Sequence, residues 1–476
     1  MRPVEKLSLV LAGVLLLPAV AYGQGSIAGV VRDGSGGVLP GVTVEAASPA
    51  LIEKVRLATS DGSGRYQIVS LTPGTYGVTF TLPGFNTVRR EGIQIAGTFV
   101  ASVDIEMNVG AVEETITVSA ETPVVDIQST TQERVVDQQT METIPTNRSV
   151  TGMGIMIPGV SVSGVSDVGG SGGQAAGAQP GIPTLRVHGS SGNQQVMMQN
   201  GVVATDIAAG GYVSPLLMNP TGAAEVVYDT AAASAEHNAG GVRINVITRD
   251  GGNTFNGSVF MGFTNSTLQA NNFDARLRDL GVTTGDSVKS IYDINPGLGG
   301  PIKRDRLWFY ASFRWNGNEN YAAGAFYNRN ANNPNAWTFD PDPSRPLTNN
   351  YDNRDGQIRL TLQASRRDKI GFVFHDQGSC FCQGTIGAVT SLEASIRKTY
   401  PVQRSLQADW TSPLTTRLLL EVGGNSYFAR THWGRWPGLN PAMIAVQEQS
   451  TGLWYRSGGG GTLQQYRSTQ IGRAHV

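Results

Sequence analysis

The sequence predicts a mainly β protein. Short runs that alternate apolar and polar residues recur along the chain, and Gly, Asn, Asp and Pro punctuate them. Long stretches rich in Ala, Glu, Lys, Leu and Arg with helical period are missing, and charged residues make up only 15% of a chain that holds 60 glycines. Its 476 residues suffice for two or three domains. The formal net charge is -1 and no Lys/Arg-rich run or basic stripe occurs, so a nucleic-acid partner is not expected.

Taken in order, Arg2 and Lys6 precede an apolar run from Leu7 to Val20, and the small residues Ala19, Ala21 and Gly23 lie at and just after its end. This is the pattern of a cleavable secretory signal over residues 1–23. The rival, a membrane anchor, needs a longer run and a stop-transfer flank. No later stretch approaches 18 continuous apolar residues, so a membrane role would fall to β-strands that close on themselves.

Residues 24–110 read as seven strands: Ser26 to Asp33, Val42 to Ser48, Lys54 to Ser60, Arg65 to Leu71, Thr75 to Leu82, Phe85 to Ile95 and Phe99 to Val109. Two DGSG sequences and two Pro-Gly pairs supply the turns. Tyr76, Val78, Phe80 and Leu82 share one side of their strand, as Val103, Ile105 and Met107 do of theirs, which is what a small β-sandwich requires. The wording GSIAGVVRD…LPGVTVEA…TSDGSGRYQIVSLTPGTYGVTFTLPGF resembles the carboxypeptidase regulatory-like domain, and the resemblance implies a transthyretin-like sandwich, not a peptidase.

The next segment, residues 124–253, has a polar start, a Gly-rich loop from Gly169 to Gly181, and short strands. Two stretches, Leu185-Arg186-Val187-His188-Gly189-Ser190-Ser191-Gly192-Asn193-Gln194-Gln195 leading to Asn200-Gly201-Val202, and Ala235-Glu236-His237-Asn238-Ala239-Gly240-Gly241-Val242-Arg243-Ile244-Asn245-Val246-Ile247-Thr248-Arg249, resemble the plug domain of TonB-dependent outer-membrane receptors. The resemblance implies an α+β plug and places its motif on Arg186, Gly189, Gly192, Asn193, Gln194, Asn200 and Gly201. His188 stands where an Arg is common and Asn200 where an Asp is usual, so neither side chain inherits a family role.

Residues 254–470 hold longer alternating strands. In Arg306 to Asn316, Leu307, Phe309, Ala311, Phe313 and Trp315 fall on one side, and Arg306, Trp308, Tyr310, Ser312, Arg314 and Asn316 on the other. Further strands are Gln357 to Ala364, Lys369 to Gln377, Val402 to Thr411 and Thr416 to Tyr427. Short turns on one side alternate with long Asn/Gly/Pro-rich loops on the other, such as Asn316 to Asp355, as in outer-membrane barrels. The stretch GGPIKRDRLWFYASF also resembles the early barrel of these receptors. About seven strands are expected between Gly257 and Tyr427, against ~22 in a closed barrel of the family, so an incomplete transmembrane β-barrel and a C-terminally truncated fragment are expected. The final IGRAHV, Ile471 to Val476, matches one frame of a common sequencing adapter and is set aside.

The histidines His188, His237, His375, His432 and His475 form no H-E-x-x-H pattern, so no zinc site and no metal are expected. Gly169-Gly170-Ser171-Gly172-Gly173 matches the nucleophile elbow only within low-complexity sequence, without a strand-to-helix frame. Asp340 and Asp342 read as a solvated turn rather than a Ca²⁺ loop. Trp308, Tyr310 and Trp315 read as an interfacial girdle rather than a sugar platform. Cys380 and Cys382 could form a tight C-x-C disulfide; a metal there would need further ligands. The expectation is therefore no enzyme and no cofactor.

Between sandwich and plug, residues 111–123 contain Glu114-Thr115-Ile116-Thr117-Val118-Ser119, an alternating strand with no neighbour in sequence to pair with. It resembles the TonB box, which such receptors offer to the periplasmic domain of TonB; alternating β-branched residues keep it extended for addition to a partner sheet. The rival is that it merely ends the sandwich or begins the plug. The resemblance, Oar-like in its domain order, implies active transport of an extracellular substrate across the outer membrane of a diderm bacterium. The barrel would sit among outer-membrane lipids, the sandwich in the periplasm, and a surface lipoprotein serves some such receptors as partner. The alternative function is adhesion or binding at the cell surface without transport.

Overall fold

The computed structural model describes residues 25–51, 54–96, 100–110, 115–118, 132–144, 148–163, 184–190, 194–204, 218–231, 240–270, 273–280, 285, 287–365, 367–384, 386–414, 419–458 and 462–471. The signal region, the Gly-rich loop, His237, His475 and residues 472–476 lie outside them.

The sandwich contains β1 (Gly25–Asp33), β2 (Thr43–Ala47), β3 (Val55–Thr59), β4 (Arg65–Leu71), β5 (Gly74–Thr81), β6 (Thr87–Ile95), β7 (Val100–Ser102), β8 (Ile105–Met107) and β9 (Thr115–Val118). One sheet pairs β4, β1 and β7, with β8 also on β1; the other runs β3-β2-β5-β6-β9. Alternating apolar residues meet between the sheets, and Ile27, Val44, Tyr76, Val78, Phe80 and Met107 are fully buried there. Tyr66 meets Phe80 edge to face, ring centroids 5.4 Å apart. The two DGSG turns fold alike. Asp33 Oδ1 accepts from the Ser35 backbone N, the Ser35 hydroxyl and the Gly37 N, while Asp61 Oδ1 accepts from the corresponding Ser63 and Arg65 groups.

The single strand expected from Phe99 to Val109 is two. Gly29 of β1 lies so close to the Val103 carbonyl that a Cβ there would stand 2.0 Å from its oxygen. The same carbonyl accepts the Tyr66 hydroxyl at 2.7 Å, and Asp104 Oδ1 accepts the Val30 N at 2.8 Å. These contacts take up the backbone at residues 103–104 and split β7 from β8, both of which run parallel to β1.

The second unit is a five-stranded mixed sheet built from β10 (Gln132–Asp137), β13 (Val196–Gln199), β14 (Val202–Val203), β15 (Ala223–Ala231) and β16 (Arg243–Thr248), in the order β10-β15-β16-β13-β14. The strands β11 (Val160–Ser163) and β12 (Thr184–Val187) pair separately. Helix α1 (Gln138–Thr143) is capped by Asp137, whose Oδ1 accepts from the Thr140 N at 2.8 Å. Tyr228, Ile244, Leu185 and Met153 fill the core, and the Tyr228 hydroxyl donates to the Val150 carbonyl.

The third unit is one antiparallel sheet in strict chain order: β17 (Asn256–Asn265), β18 (Ser287–Lys303), β19 (Leu307–Asn328), β20 (Pro341–Gln363), β21 (Lys369–Gly384), β22 (Ile396–Pro413), β23 (Leu419–Arg435) and finally β26 (Thr462–Ile471), with the small pair β24 (Val446–Gln447) and β25 (Trp454–Tyr455) before it. The seven expected strands are present, an eighth follows at residues 462–471, and among the described residues the sheet does not close on itself. Asn316 to Asp355 is not one loop. Its Asn/Gly-rich arms continue the ladder, with Asn316 opposite Asn353 and Tyr321 opposite Thr348, and only residues 329–340 connect them. Polar composition concealed pairing that register alone sustains. At about 3.3 Å per residue the 22-residue β19 spans roughly 70 Å, far beyond the ~9–11 residues that cross a bilayer.

The two faces of this sheet differ in chemistry. Arg314 is 9% exposed and Phe313, beside it, 43%. One face buries Asn295, Ser312, Gln357, Thr361, Gln377 and Gln407, whereas the other exposes Leu298, Ile358, Ile370, Leu406, Trp410 and Val422. Alternation therefore separates polar from apolar along β19 to β22.

At the end remote from the short turns, residues 329–340, 386–395 and 436–458 knit together. Tyr455 donates its hydroxyl to the Trp337 carbonyl, Asn332 Nδ2 donates to the Gly438 carbonyl, and the Arg456 guanidinium stacks 3.9 Å from the Trp337 ring centroid. Arg329 reaches both Asp340, at 3.3 Å, and Asp342, at 3.5 Å. Cys380 and Cys382 are disulfide-bonded near the same end of β21.

Candidate functional site

The strand at 115–118 is extended, as its β-branched sequence requires, but it is not without a sheet. It runs parallel to β6, with Thr87 opposite Thr115 and Arg90 opposite Val118, as the last strand of the five. The expectation of a strand lacking any partner in its own chain is corrected. The sandwich sheet ends on β6, whose backbone groups on that side need partners, and β9 supplies them. Glu114 and Ser119 lie outside the described residues. Beyond β9, no strand follows on that edge among the described residues.

Of the predicted plug residues, Asn200 and Gly201 have the clearest geometry. Both have positive φ, 48° and 77°, and form the tight turn between β13 and β14. Asn200 Oδ1 accepts from the Thr248 N at 2.9 Å and from the Thr248 hydroxyl at 3.0 Å, and its Nδ2 donates to Gln407 Oε1 at 3.3 Å. The Gly201 N donates to Asn245 Oδ1 at 3.0 Å. Asn200 thus joins two strands of the second unit to β22 of the long sheet. An Asp here would keep the acceptor and lose the donor.

Gly189, at φ 76°, turns the chain after β12, where the Ser190 hydroxyl accepts from the Val187 N at 3.0 Å. The Arg186 and Gln194 side chains are exposed, and Gly192 and Asn193 lie outside the described residues. Gln195, beside the predicted set, is buried, and its Oε1 accepts from the Leu185 N at 2.7 Å. The five motif residues that are described therefore do not converge on one spot.

What does converge is a polar seam where the second unit lies on the polar face of the long sheet. Asp250 Oδ1 accepts from Arg359 Nε at 2.5 Å and from the Thr361 hydroxyl at 2.7 Å, and Lys369 Nζ stands 3.3 Å from Oδ2. Arg359 also donates to the Thr248 hydroxyl at 2.6 Å. Burial by itself would raise the Asp250 pKa, but Arg359, Lys369 and Thr361 outweigh it and hold the carboxyl well below the usual range. Asn219 and Asn295 exchange two amide hydrogen bonds, at 3.0 and 2.9 Å. Arg314 forks onto Asp293 at 3.0 and 2.7 Å and donates to the Arg148 carbonyl at 2.9 Å.

Tyr310 and Trp308 belong to this seam, which corrects their place in a girdle. The Tyr310 hydroxyl donates to the Thr221 carbonyl and receives from Arg249, both at 3.0 Å, and Trp308 Nε1 donates to Asn253 Oδ1 at 2.8 Å. Both rings are on the polar face and buried. Trp315 faces outward as expected, and Trp410 of β22 joins it on that face. Register sets Trp410 level with Ile370, Leu362 and Leu307, eight residues along β19 from Trp315. That separation is roughly 26 Å along the strands.

Sequence reasoning missed Asp250, Arg359, Lys369 and Asn219. The signal was in the alternation: Gln357, Arg359 and Thr361 share the polar side of a predicted strand, and Thr248-Arg249-Asp250 ends the last strand of the second unit. The seam is a set of hydrogen bonds and ion pairs between two folded parts. It offers attachment rather than bond-making chemistry, and no group of three or more metal-ligating residues occurs among the described residues.

Residues 26–108 match the family described as carboxypeptidase regulatory-like domain. Over 314 residues, 66% of this chain, the sequence is 30% identical to the TonB-dependent transporter Oar of Myxococcus xanthus, of which it covers 29%. Among solved structures, the outer membrane transporter YddB from Escherichia coli aligns over 70% of this chain and 44% of its own, with 13% identity and a TM-score of 0.49. The siderophore receptor PirA from Acinetobacter baumannii aligns over 71% and 44%, with 13% identity and a TM-score of 0.44.

Proposed function

We propose, for a chain that carries a carboxypeptidase regulatory-like domain and is a relative of TonB-dependent transporters, that it transports a substrate across the outer membrane with energy delivered through TonB. The sidedness of the long sheet is the observation that carries this reading. Its apolar face suits lipid, and Trp315 and Trp410 lie on that face far apart along the strands, as interfacial aromatics of outer-membrane barrels do. Its polar face holds the second unit, which acts as the plug of residues 124–253, through hydrogen bonds and ion pairs, with a smaller apolar contact where Tyr427 and Ala429 of β23 join the second unit's core. Such a seam can be remade after it is broken, because water satisfies the separated groups.

In this reading the sandwich is periplasmic, and Glu114 to Ser119 is the segment that TonB takes by strand addition. Outer loops receive the substrate, and a pull on the segment shifts the plug. The test is Ile116→Pro in the full-length protein. Proline removes a backbone donor from the strand, so binding of the purified periplasmic domain of TonB falls at least tenfold while insertion into the outer membrane is unchanged. Undiminished TonB binding sinks the coupling role of this segment, and a protein that adheres at the surface without transport then becomes the better reading.

A further inference from the structure

We infer that the sandwich presents β9 as a preformed sheet edge, so that the partner's strand extends the five-stranded sheet to six instead of capturing a loose tether. The inference rests on the coupling role proposed above and gives the sandwich a part in it. It starts from the parallel pairing of β9 with β6, from Thr87 opposite Thr115 to Arg90 opposite Val118. Along a strand, successive residues direct their N–H and C=O groups to opposite edges, so pairing with β6 engages only half of the backbone groups of β9. The other half points away from the sandwich, where the sheet has no further strand among the described residues.

The preceding chain is fastened to the same region. Val109 bridges Phe85, and the Gly110 N donates to the Gly84 carbonyl at 3.3 Å. Five residues after Gly110 the chain is back on β6, so the segment is tied to the sandwich before and along the strand. A free tether must lose its conformational freedom when a partner binds it; β9 has already lost it to β6. The surface therefore suits one kind of partner, a protein that offers an unpaired strand edge of its own, and the backbone edge sets the alignment. At four residues the edge is short enough to resist indiscriminate pairing between copies.

Locking β9 in place tests this. Arg89 and Thr117 are opposite in register and Arg89 is half exposed, while the native Cys380 and Cys382 are already bonded to each other. The full chain carrying Arg89→Cys and Thr117→Cys, in detergent, is bridged with a short bifunctional methanethiosulfonate and titrated with the purified periplasmic domain of TonB before and after reduction. Presentation predicts that the bridged chain binds within twofold of the reduced chain, or more tightly. Binding that drops tenfold on bridging and returns on reduction means that β9 must leave β6 first, which overturns the inference and spares the coupling role. Absence of binding in both states, with binding by the unsubstituted chain, overturns the inference through the surface itself; absence in the unsubstituted chain sinks the coupling role beneath it. Hydrogen exchange on the unsubstituted chain gives a second readout: the amides of Thr87 to Arg90 keep their protection when TonB binds, and their deprotection overturns presentation.

Discussion

Arg359 of β20 donates through Nε to Oδ1 of Asp250 at 2.5 Å, across 109 residues of sequence, with side chains only 5% and 12% exposed. Replacing Arg359 by Met leaves a carboxylate in a water-poor seam with Lys369 and Thr361 alone. Loss of one partner from such a pair costs on the order of 3–5 kcal/mol. Asp250→Leu combined with Arg359→Met is expected to cost less than Arg359→Met alone, as measured by denaturant unfolding in detergent together with protease protection of residues 132–250.

The same carboxylate sets a pH response. Its folded pKa lies below the unfolded value of about 3.9. The stabilisation is therefore fully present above the unfolded value and is lost as pH falls through the folded one. The seam should be indifferent to pH from about 5 upward and weaken in stronger acid. Denaturation midpoints across this range check it, and Asp250→Asn should flatten the acid limb.

At Asn200 the side chain and the backbone can be separated. Asn200→Ala removes the acceptor of the Thr248 N and hydroxyl and places an alanine at φ 48°. Asn200→Gly removes the same acceptor but relieves the backbone. Alanine should be the more destabilising by about 1–2 kcal/mol, the cost of left-handed backbone in an L-residue.

In the sandwich, Gly29→Ala puts a methyl against the Val103 carbonyl and should cost at least about 3 kcal/mol. Tyr66→Phe, which takes only the hydroxyl from that carbonyl, should cost about 1 kcal/mol. Hydrogen exchange along β7 and β8 reads both, and equal effects would show that the close approach of Gly29 is not what holds the two strands.

Leu406 lies on the apolar face of β22. If that face meets lipid, Leu406→Arg costs roughly 2–4 kcal/mol in phospholipid vesicles. In a detergent that solvates the arginine the loss should shrink. A loss that is the same in both places Leu406 against protein.

Period-2 alternation was enough to recognise the strands, since side chains at i and i+2 share a face whatever the sheet is doing. It gave seven of the eight strands of the long sheet and the inward turn of Arg314 beside the outward Phe313. Aromatic content alone points Trp308 and Tyr310 to a girdle although they share the side of Arg314, and hydrogen bonds to Asn253 and Thr221 draw them inward. The strand ends were illegible for a related reason: beyond Asn316 no apolar residue is needed, because the ladder continues on backbone pairing with Asn353 and its neighbours. The partner of β9 is parallel and more than twenty residues back, a distance at which no local pattern operates. The seam depends on contacts such as Asn200 with Gln407, 207 residues apart, which only the folded chain brings together.

The unbroken chain order of the long sheet also bears on how such a wall can change over evolutionary time. Each strand is registered only against its immediate predecessor and successor, and the short turns at one end fix that register. Residues inserted at the opposite end lengthen a single hairpin and leave every other pairing untouched, as the overlong arms of β19 and β20 already illustrate. The wall behaves as a comb with a fixed spine and teeth of adjustable length. Novelty can accumulate at the tips, where foreign molecules are met, without renegotiating the fit around Asp250 and Arg359 deep between the teeth.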